Sequence, residues 1–269
     1  MKSIFGLLSA FFLIASCSPY QKALKSEDTK VKYDLAEKLY NEGDYNRAKR
    51  LFEQIAPKYV GKPQGERVMF FFADTYFKTG DYYLSGYQFE RFLKSYPKSD
   101  KLQEAAFLGA KSYYELSPKY SLDQTDTDKA LSKLQTFINT YPDSEYFAEA
   151  NTMAQELTAK KEKKQIEIAK QFDKLGEFNY PILVSAITAL DNFISDNPGS
   201  VYREDAFFYR VKASTNLALN STDIKKKERL DEAMVAYNAL KKSYPDTKYA
   251  KKSEELYEKI ERELQRFSK

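Results

Sequence analysis

The chain has 269 residues, and its 43 Lys and Arg residues nearly balance its 39 Asp and Glu residues, which leaves a net charge of +4. A charge this small gives no indication of a nucleic-acid partner, and one Cys without any His excludes an intramolecular disulfide and a Cys/His zinc site. The usual general base is also missing, whereas an apolar fraction of 42% is enough for a packed core. We therefore predict a folded protein that is not an enzyme and that needs neither a cofactor nor a nucleic-acid partner.

Residues 1–16 have the layout of a secretory signal peptide. Lys2 supplies a positive charge, an apolar run follows from Ile4 to Ile14, and the small residues Ala15 and Ser16 suit a peptidase. The run is shorter than the ~20 residues that a membrane-spanning helix needs. We predict that residues 1–16 are removed.

The next residue, Cys17, is the predicted attachment point of a lipid. The stretch Ile14-Ala15-Ser16-Cys17 resembles the bacterial lipobox, in which the cysteine is acylated and becomes the first residue of the mature protein. Several acyl chains on one residue bind a membrane far more firmly than a single chain does. The alternative is a chance cysteine at the end of a signal peptide. Residues 17–30 are otherwise polar and suit a short tether.

A repeat occupies the rest of the chain. Residues 41–60 and 78–97 share Gly-Asp-Tyr, a small residue five positions after the Gly and a Phe four positions further on. The end of this pattern returns in residues 128–144, 183–200 and 230–247. The aligned small residues of the five copies are Ala48, Ser85, Ala130, Ala186 and Ala233.

Apolar residues at helical spacing precede each copy, so each repeat is predicted to be a pair of helices that cross at the small residue. The pattern resembles the tetratricopeptide repeat, which implies an all-α fold: a right-handed superhelix of about five helix hairpins. We assign residues 31–152 to N-terminal repeats and residues 153–269 to C-terminal repeats and a capping helix. Residues 153–175 are rich in Lys and are predicted to form a charged helix that bridges the two halves, with a solvated face or a binding patch.

In a tetratricopeptide array, the first helix of each hairpin lines a concave groove. The residues assigned to this groove combine aromatic rings with charges, which suits an extended peptide with large apolar side chains. They are Tyr33, Tyr40, Arg67, Phe70, Asp74, Phe77, Lys78, Phe107, Lys111 and Tyr114. The alternative is that a one-residue error in the alignment places these rings in the core.

The signal-peptide cysteine, the tether and five hairpins with a Tyr-Pro-x-Ser ending together resemble the BamD family of outer-membrane assembly lipoproteins. The resemblance covers the whole mature chain. It implies a protein that is lipid-anchored in the cell outer membrane, faces the periplasm and works with a BamA-like barrel insertase through the POTRA domains of the insertase. It also implies that the N-terminal repeats receive unfolded β-barrel proteins, while the C-terminal repeats hold the insertase.

Two other functions fit the same sequence. The first is a tetratricopeptide scaffold lipoprotein of cell-envelope or peptidoglycan machinery, with the same fold and a different partner. The second is a carbohydrate-binding or hydrolytic lipoprotein, for which the acidic residues Glu37, Asp74 and Glu104 would be the evidence. Their separation on successive helices argues against a catalytic pair of carboxylates.

Overall fold

The structure is a computed structural model that describes residues 18–176 and 178–267. Every regular element in these residues is helical. The predicted signal peptide and Cys17 lie outside the described residues. The chain divides into two compact units, of which the first ends at Glu115 and the second begins at Leu116.

The first unit consists of short α1 and of longer helices in consecutive contact. α1 packs on α2 and α3, and α3 and α4 each pack on the helices before and after them. The α5–α6 contact includes a hydrogen bond that the Ser112 hydroxyl donates to the Ser85 hydroxyl at 3.0 Å. The elements are α1 (Pro19–Lys25), α2 (Thr29–Asn41), α3 (Tyr45–Tyr59), α4 (Gly65–Lys78), α5 (Tyr82–Ser95) and α6 (Leu102–Leu116), whose last residue belongs to the second unit.

The second unit repeats this arrangement with longer helices. Each helix packs on the next one along the chain, and α10 also contacts α8 and α12. A short 3₁₀ turn, Gln265–Phe267, follows the last helix. The helices are α7 (Thr125–Thr140), α8 (Phe147–Leu175), α9 (Pro181–Asp196), α10 (Arg203–Leu219), α11 (Asp223–Ser243) and α12 (Ala250–Leu264).

The predicted all-α fold is confirmed, and burial at the aligned small residues supports the repeat. All five small residues have an exposed fraction of 0%. The residue four positions later is also buried in every copy, because it lies one helical turn along the same face. These second residues are Phe52, Phe89, Leu134, Leu190 and Tyr237.

The Gly-Asp-Tyr turns of the first two copies depend on glycine for a conformational reason. Gly43 has a φ of 80° and Gly80 a φ of 77°, in the region that side chains with a Cβ rarely adopt. In each turn the following Asp then precedes the first residue of the next helix, and the Asp44 carboxylate accepts a hydrogen bond from the Arg47 amide at 3.1 Å. The turn residues therefore set the end of one helix and the start of the next.

Residues 19–25 differ from the predicted tether. They form α1, with Ser18 as its N-cap and Pro19 as its first residue. Ala23 is 1% exposed, and Tyr20 and Leu24 pack against the core of the first unit. The apolar residues at positions 20, 23 and 24 share one helical face. In the sequence they are flanked by polar residues, so the apolar face is evident only once the segment is helical.

The predicted boundary between residues 152 and 153 falls inside α8. This helix runs without interruption from Phe147 to Leu175 and packs on α7 and α9, both of which belong to the second unit. A chain cannot divide into two units at a point where one continuous helix is packed along its length. The Lys-rich stretch is therefore helical as predicted, but it lies wholly within the second unit.

The lysines of α8 hold the loop that precedes α7. Their ammonium groups reach the loop of residues 117–124, so part of the predicted solvated face is occupied by the chain itself. The contacts are those of Lys160 with the Ser117 hydroxyl at 2.8 Å, Lys163 with the Tyr120 ring centre at 4.5 Å and Lys164 with the Leu122 carbonyl at 2.7 Å.

None of the helices in residues 18–176 and 178–267 is both long enough and apolar enough to cross a membrane.

Candidate functional site

The candidate site lies on the first unit, where α2 and α4 present side chains to each other. Tyr33, Glu37 and Tyr40 follow one another at spacings of four and three residues on α2, and Arg67, Phe71 and Asp74 do the same on α4. Residues at these spacings share one side of a helix. We call this surface, formed by these six residues, the α2–α4 face.

An ion pair and two stacked rings form the centre of the α2–α4 face. Arg67 pairs with Glu37 across the two helices, and its guanidinium lies 5.3 Å from the centre of the Phe71 ring. Phe71 in turn stacks on Tyr40, with ring centres 4.3 Å apart and planes at 26°. The Arg67 side chain remains 59% exposed, so its donors are accessible to a bound molecule.

A buried acid lies beside these rings. Asp74 is 3% exposed, and its carboxylate accepts a hydrogen bond from the Tyr40 hydroxyl at 2.5 Å. Burial raises the pKa of Asp74, while the hydrogen bond from Tyr40 and the charge of Lys78 act against this rise. Burial and the neighbouring carboxylate likewise raise the pKa of Tyr40, so its hydroxyl stays protonated and donates the hydrogen bond.

The start of α6 continues the mixture of rings and charges. Lys101 pairs with Glu104 at 2.7 Å, and its ammonium lies 5.4 Å from the centre of the Phe70 ring. Lys111 lies 5.6 Å from the centre of the Phe107 ring. Cationic groups over ring faces are favourable by ~0.5–1 kcal/mol at exposed sites.

The structure places the ten predicted groove residues in three environments. Arg67 and Lys78 are exposed, and four side chains are half-buried: Tyr40, Phe77, Lys111 and Tyr114. Tyr33, Phe70, Asp74 and Phe107 are buried.

Phe70 and Phe107 correct the prediction that both rings line a groove. They are 5% and 3% exposed, so neither presents a ring face to a peptide. Phe70 makes edge contacts with Phe89 and Phe92 of α5, at ring-centre distances of 5.9 and 5.7 Å. Tyr33 is also mostly buried, because its ring packs on Tyr59 at 5.8 Å.

The ring that the sequence prediction missed is Phe71. Phe70 and Phe71 are adjacent, and adjacent helical residues point about 100° apart, so only one of them can face α2. The signal was the spacing of Tyr33, Glu37 and Tyr40 on α2, which recurs on α4 at Arg67, Phe71 and Asp74 rather than at Phe70.

The three acidic residues that the carbohydrate-binding or hydrolytic alternative would require are engaged by neighbouring groups. Glu37 pairs with Arg67, Asp74 accepts the Tyr40 hydrogen bond, and Glu104 pairs with Lys101. In the described part of the chain, no group of three or more His, Cys, Asp or Glu residues is placed to hold a metal ion. The α2–α4 face thus combines aromatic rings with paired charges.

A cavity of about 750 Å³ lies on the second unit between α9, α10 and α11. Arg210 and Asp191 form an ion pair in its wall, and the exposed apolar residues Ile224 and Val235 lie at its edge. The remaining lining residues are Ile187, Ser214, Leu217, Lys227, Glu228, Arg229, Asp231 and Glu232. None of these lining residues is among the ten predicted groove residues.

Comparison with known proteins gives one family match. The family model YfiO, described as outer membrane lipoprotein, matches residues 25–182, which is more than half of the 269 residues. No curated protein matches the chain significantly. Among solved structures, the TPR2AB-domain:pHSP90 complex of yeast Sti1 aligns over 87% of this chain and 98% of its own, with 14% identity and a TM-score of 0.40. A TM-score this low supports no argument about this chain.

Proposed function

The chain belongs to the YfiO family of outer membrane lipoproteins, and from this premise we propose that it is an assembly factor for β-barrel proteins of the outer membrane. In this proposal a lipid on Cys17 anchors the protein, which faces the periplasm. The first unit binds unfolded β-barrel proteins, and the second unit holds a BamA-like insertase by contacting the POTRA domains of the insertase. No bond is made or broken in the client, since the protein acts by holding it near the membrane.

The observation that carries the binding role is the α2–α4 face. Its Tyr40 and Phe71 rings are half-buried, so they offer apolar contact area, and the largely exposed Arg67 lies directly above Phe71. Arginine binds carboxylates through two parallel hydrogen bonds, and rings bind large apolar side chains. An unfolded β-barrel segment that ends in an aromatic residue and a free carboxylate has both groups.

Peptide titration of the full lipidated protein tests this role. Arg67→Gln combined with Lys78→Gln removes two exposed cations from α4 without opening the core, whereas Phe70→Ala would cost ~3–5 kcal/mol of stability. We expect Kd for a C-terminal β-barrel peptide to rise about tenfold, because hydrogen bonds to charged groups are worth ~1.5–3 kcal/mol.

The matched control is Arg91→Gln combined with Lys94→Gln, which removes one Arg and one Lys from exposed positions on α5. This control should leave Kd unchanged. An unchanged Kd in the α4 variant, or an equal rise in the control, would refute the proposed peptide site.

The cavity between α9, α10 and α11 is our proposed contact for the insertase. Its exposed apolar residues and mixed charges suit a folded protein domain, since interfaces combine an apolar centre with a polar rim. Co-purification of the lipidated protein from membranes tests the partner. Recovery of a POTRA-bearing barrel supports the proposal, whereas recovery of peptidoglycan machinery alone would replace it with the scaffold function.

A further inference from the structure

A groove of about 700 Å³ separates α1 from α3 on the first unit. Gln21 and Lys25 lie four residues apart on α1, and Arg50 and Gln54 lie four residues apart on α3, so both pairs line the groove from opposite sides. Leu24, Lys49 and Glu53 complete the lining.

Two cations of this groove are not held in an ion pair. In the parts of the chain that the structure describes, neither Lys25 nor Arg50 forms an ion pair or a side-chain hydrogen bond, and both are exposed. The other two charges are engaged: Lys49 pairs with Asp81, and the Glu53 carboxylate accepts a hydrogen bond from the Tyr76 hydroxyl at 2.8 Å. The lining therefore carries a net positive charge, because Lys25 and Arg50 contribute two cations, Glu53 contributes one anion, and Lys49 is offset by Asp81.

The remaining polar groups fit a phosphate. Lys32 donates to the Gln54 side-chain oxygen at 2.5 Å, which leaves the Gln54 amide hydrogens as donors. Gln21 adds a second amide on the opposite side. Phosphate oxygens accept such hydrogen bonds, and Arg and Lys are the residues that bind phosphate.

The position of α1 along the chain relates this groove to the membrane. Ser18 is the N-cap of α1 and follows Cys17 directly in the sequence, so the predicted lipid site is adjacent to the cap of the first helix. Lys25 is seven residues beyond Ser18, or about 10 Å along a helix. The headgroup layer of a bilayer is about 5–8 Å thick on each side, so an α1 that lies along the membrane surface holds the groove among headgroups.

We propose that the groove between α1 and α3 binds the phosphate of an anionic phospholipid headgroup, so that α1 docks the first unit on the membrane beside its lipid anchor. The inference rests on the proposed lipidation of Cys17. Lys25 and Arg50 contact the phosphate, and Gln21 and Gln54 complete its hydrogen bonds. Because α1 packs on α2 and α3, docking fixes the orientation of the α2–α4 face relative to the bilayer.

Fluorescence quenching in vesicles tests the docking. A fluorophore is attached to Lys22→Cys, on the exposed side of α1, in the full lipidated protein, whose Cys17 thiol is acylated. The vesicles contain phosphatidylcholine with a nitroxide on its headgroup, alone or mixed with phosphatidylglycerol. We expect strong quenching only in the mixed vesicles, and less of it at high salt, because salt screens exposed charges.

The test variant is Lys25→Gln combined with Arg50→Gln. We expect the ratio of docked to undocked protein in mixed vesicles to fall about thirtyfold, because each cation near an anionic surface contributes ~1 kcal/mol. The matched control, Lys259→Gln combined with Arg262→Gln, removes the same charges from exposed positions on α12 and should leave quenching unchanged. Quenching that is independent of phosphatidylglycerol, or an equal loss in the control, would overturn the proposed headgroup site.

Two measurements on the same samples separate this inference from the proposed function. The intact mass shows whether Cys17 carries lipid, and a mass without lipid overturns both the anchor and the docking. The Lys25 and Arg50 variant should bind the β-barrel peptide normally. Normal peptide binding together with quenching that does not depend on phosphatidylglycerol would therefore refute the headgroup site but not the peptide-binding proposal.

Discussion

At the scale of single residues, small and glycine positions determine how closely the helices approach. Ser85 is fully buried at its crossing, and its hydroxyl donates to the Ala73 carbonyl at 3.2 Å, so a polar side chain occupies this position without losing its hydrogen bond. The turn glycines are different, because the constraint on them is conformational. A Cβ on Gly80 would meet no atom within 4 Å, yet the positive φ still disfavours one.

Gly80→Ala should therefore destabilise the second hairpin of the first unit by about 1–2 kcal/mol, the cost of a left-handed conformation for a residue with a Cβ. Native-state hydrogen exchange of the α4 and α5 amides measures the loss. Gly199→Ala is the matched control, because Gly199 also has open space around it and does not have a positive φ. Gly199→Ala should change the free energy of unfolding by less than about 0.5 kcal/mol. Equal losses for Gly80→Ala and Gly199→Ala would show that the positive φ is not the cause.

Asp74 gives a prediction about pH. Burial raises its pKa in the folded state above the usual value of an aspartate, so the folded state binds this proton more tightly than the unfolded state does. The resulting stability is fully present below the unfolded pKa and is lost as the pH rises through the folded pKa. The free energy of unfolding of the native protein should therefore fall, relative to Asp74→Asn, as the pH rises above about 4.

Urea unfolding at several pH values, followed by exchange of the α4 amides, measures this difference. Asparagine still accepts the hydrogen bond from Tyr40, so the comparison isolates the charge. Asp100→Asn, at an exposed carboxylate, is the control. Parallel pH profiles for the two variants would contradict a role for burial at Asp74.

At the scale of elements, a hydrogen-bonded seam joins successive hairpins. The Ser or Thr of the Tyr-Pro-x-Ser ending accepts a hydrogen bond from the amide two residues later, as in Ser99 with the Lys101 amide at 2.9 Å. The same hydroxyl donates to a Glu on the first helix of its own hairpin. These pairs are Ser99 with Glu66 at 2.6 Å, Ser200 with Glu162 at 2.7 Å and Thr247 with Glu204 at 2.7 Å.

Ser99→Ala removes both hydrogen bonds at one seam. The free energy of unfolding should fall by about 1–2 kcal/mol. The start of α6 loses a capping hydrogen bond, and the half-buried Glu66 carboxylate loses a hydrogen-bond donor. Faster hydrogen exchange in the first turn of α6 is the readout. Ser95→Ala is the control because Ser95 is exposed and makes no side-chain hydrogen bond in the part of the chain that the structure describes; similar exchange in both variants would remove the seam's proposed role.

At the scale of the whole molecule, the chain combines two compact helical units with one predicted anchoring residue. The first unit carries the α2–α4 face and the groove beside α1, and the second carries the cavity between α9, α10 and α11. Two units need not unfold in one transition, so measurements that resolve individual helices are preferable to a single melting temperature.

The anchor prediction belongs to this scale, since one residue determines where the whole chain resides. Cys17→Ala should abolish acylation and leave uncleaved precursor, whereas Ser16→Ala keeps a small residue before the cysteine and should be processed normally. Intact-mass analysis of the membrane fraction distinguishes the two outcomes. An unacylated native protein, or an acylated Cys17→Ala variant, would refute the assignment of the lipid to Cys17.

The sequence alone determined the repeat and its buried positions. A small residue and an apolar residue one turn later recur in five copies, and burial follows because a helix hairpin must cover this face. The Gly-Asp-Tyr motif that two copies share likewise marks a turn whose conformation depends on neighbouring residues only.

The tertiary structure decided the features that depend on contacts between distant segments. It placed Phe71 rather than Phe70 on the α2–α4 face, because two adjacent apolar residues leave the inward direction of a helix undetermined until its neighbours are packed. It also packed α1 on the other helices of the first unit. It paired Ser or Thr with Glu across 33, 38 and 43 residues, a separation that differs from one repeat to the next. Local periodicity specifies which residues are buried in a repeat, whereas the partner of each exposed or half-buried side chain is set by the packing of helices that the sequence keeps far apart.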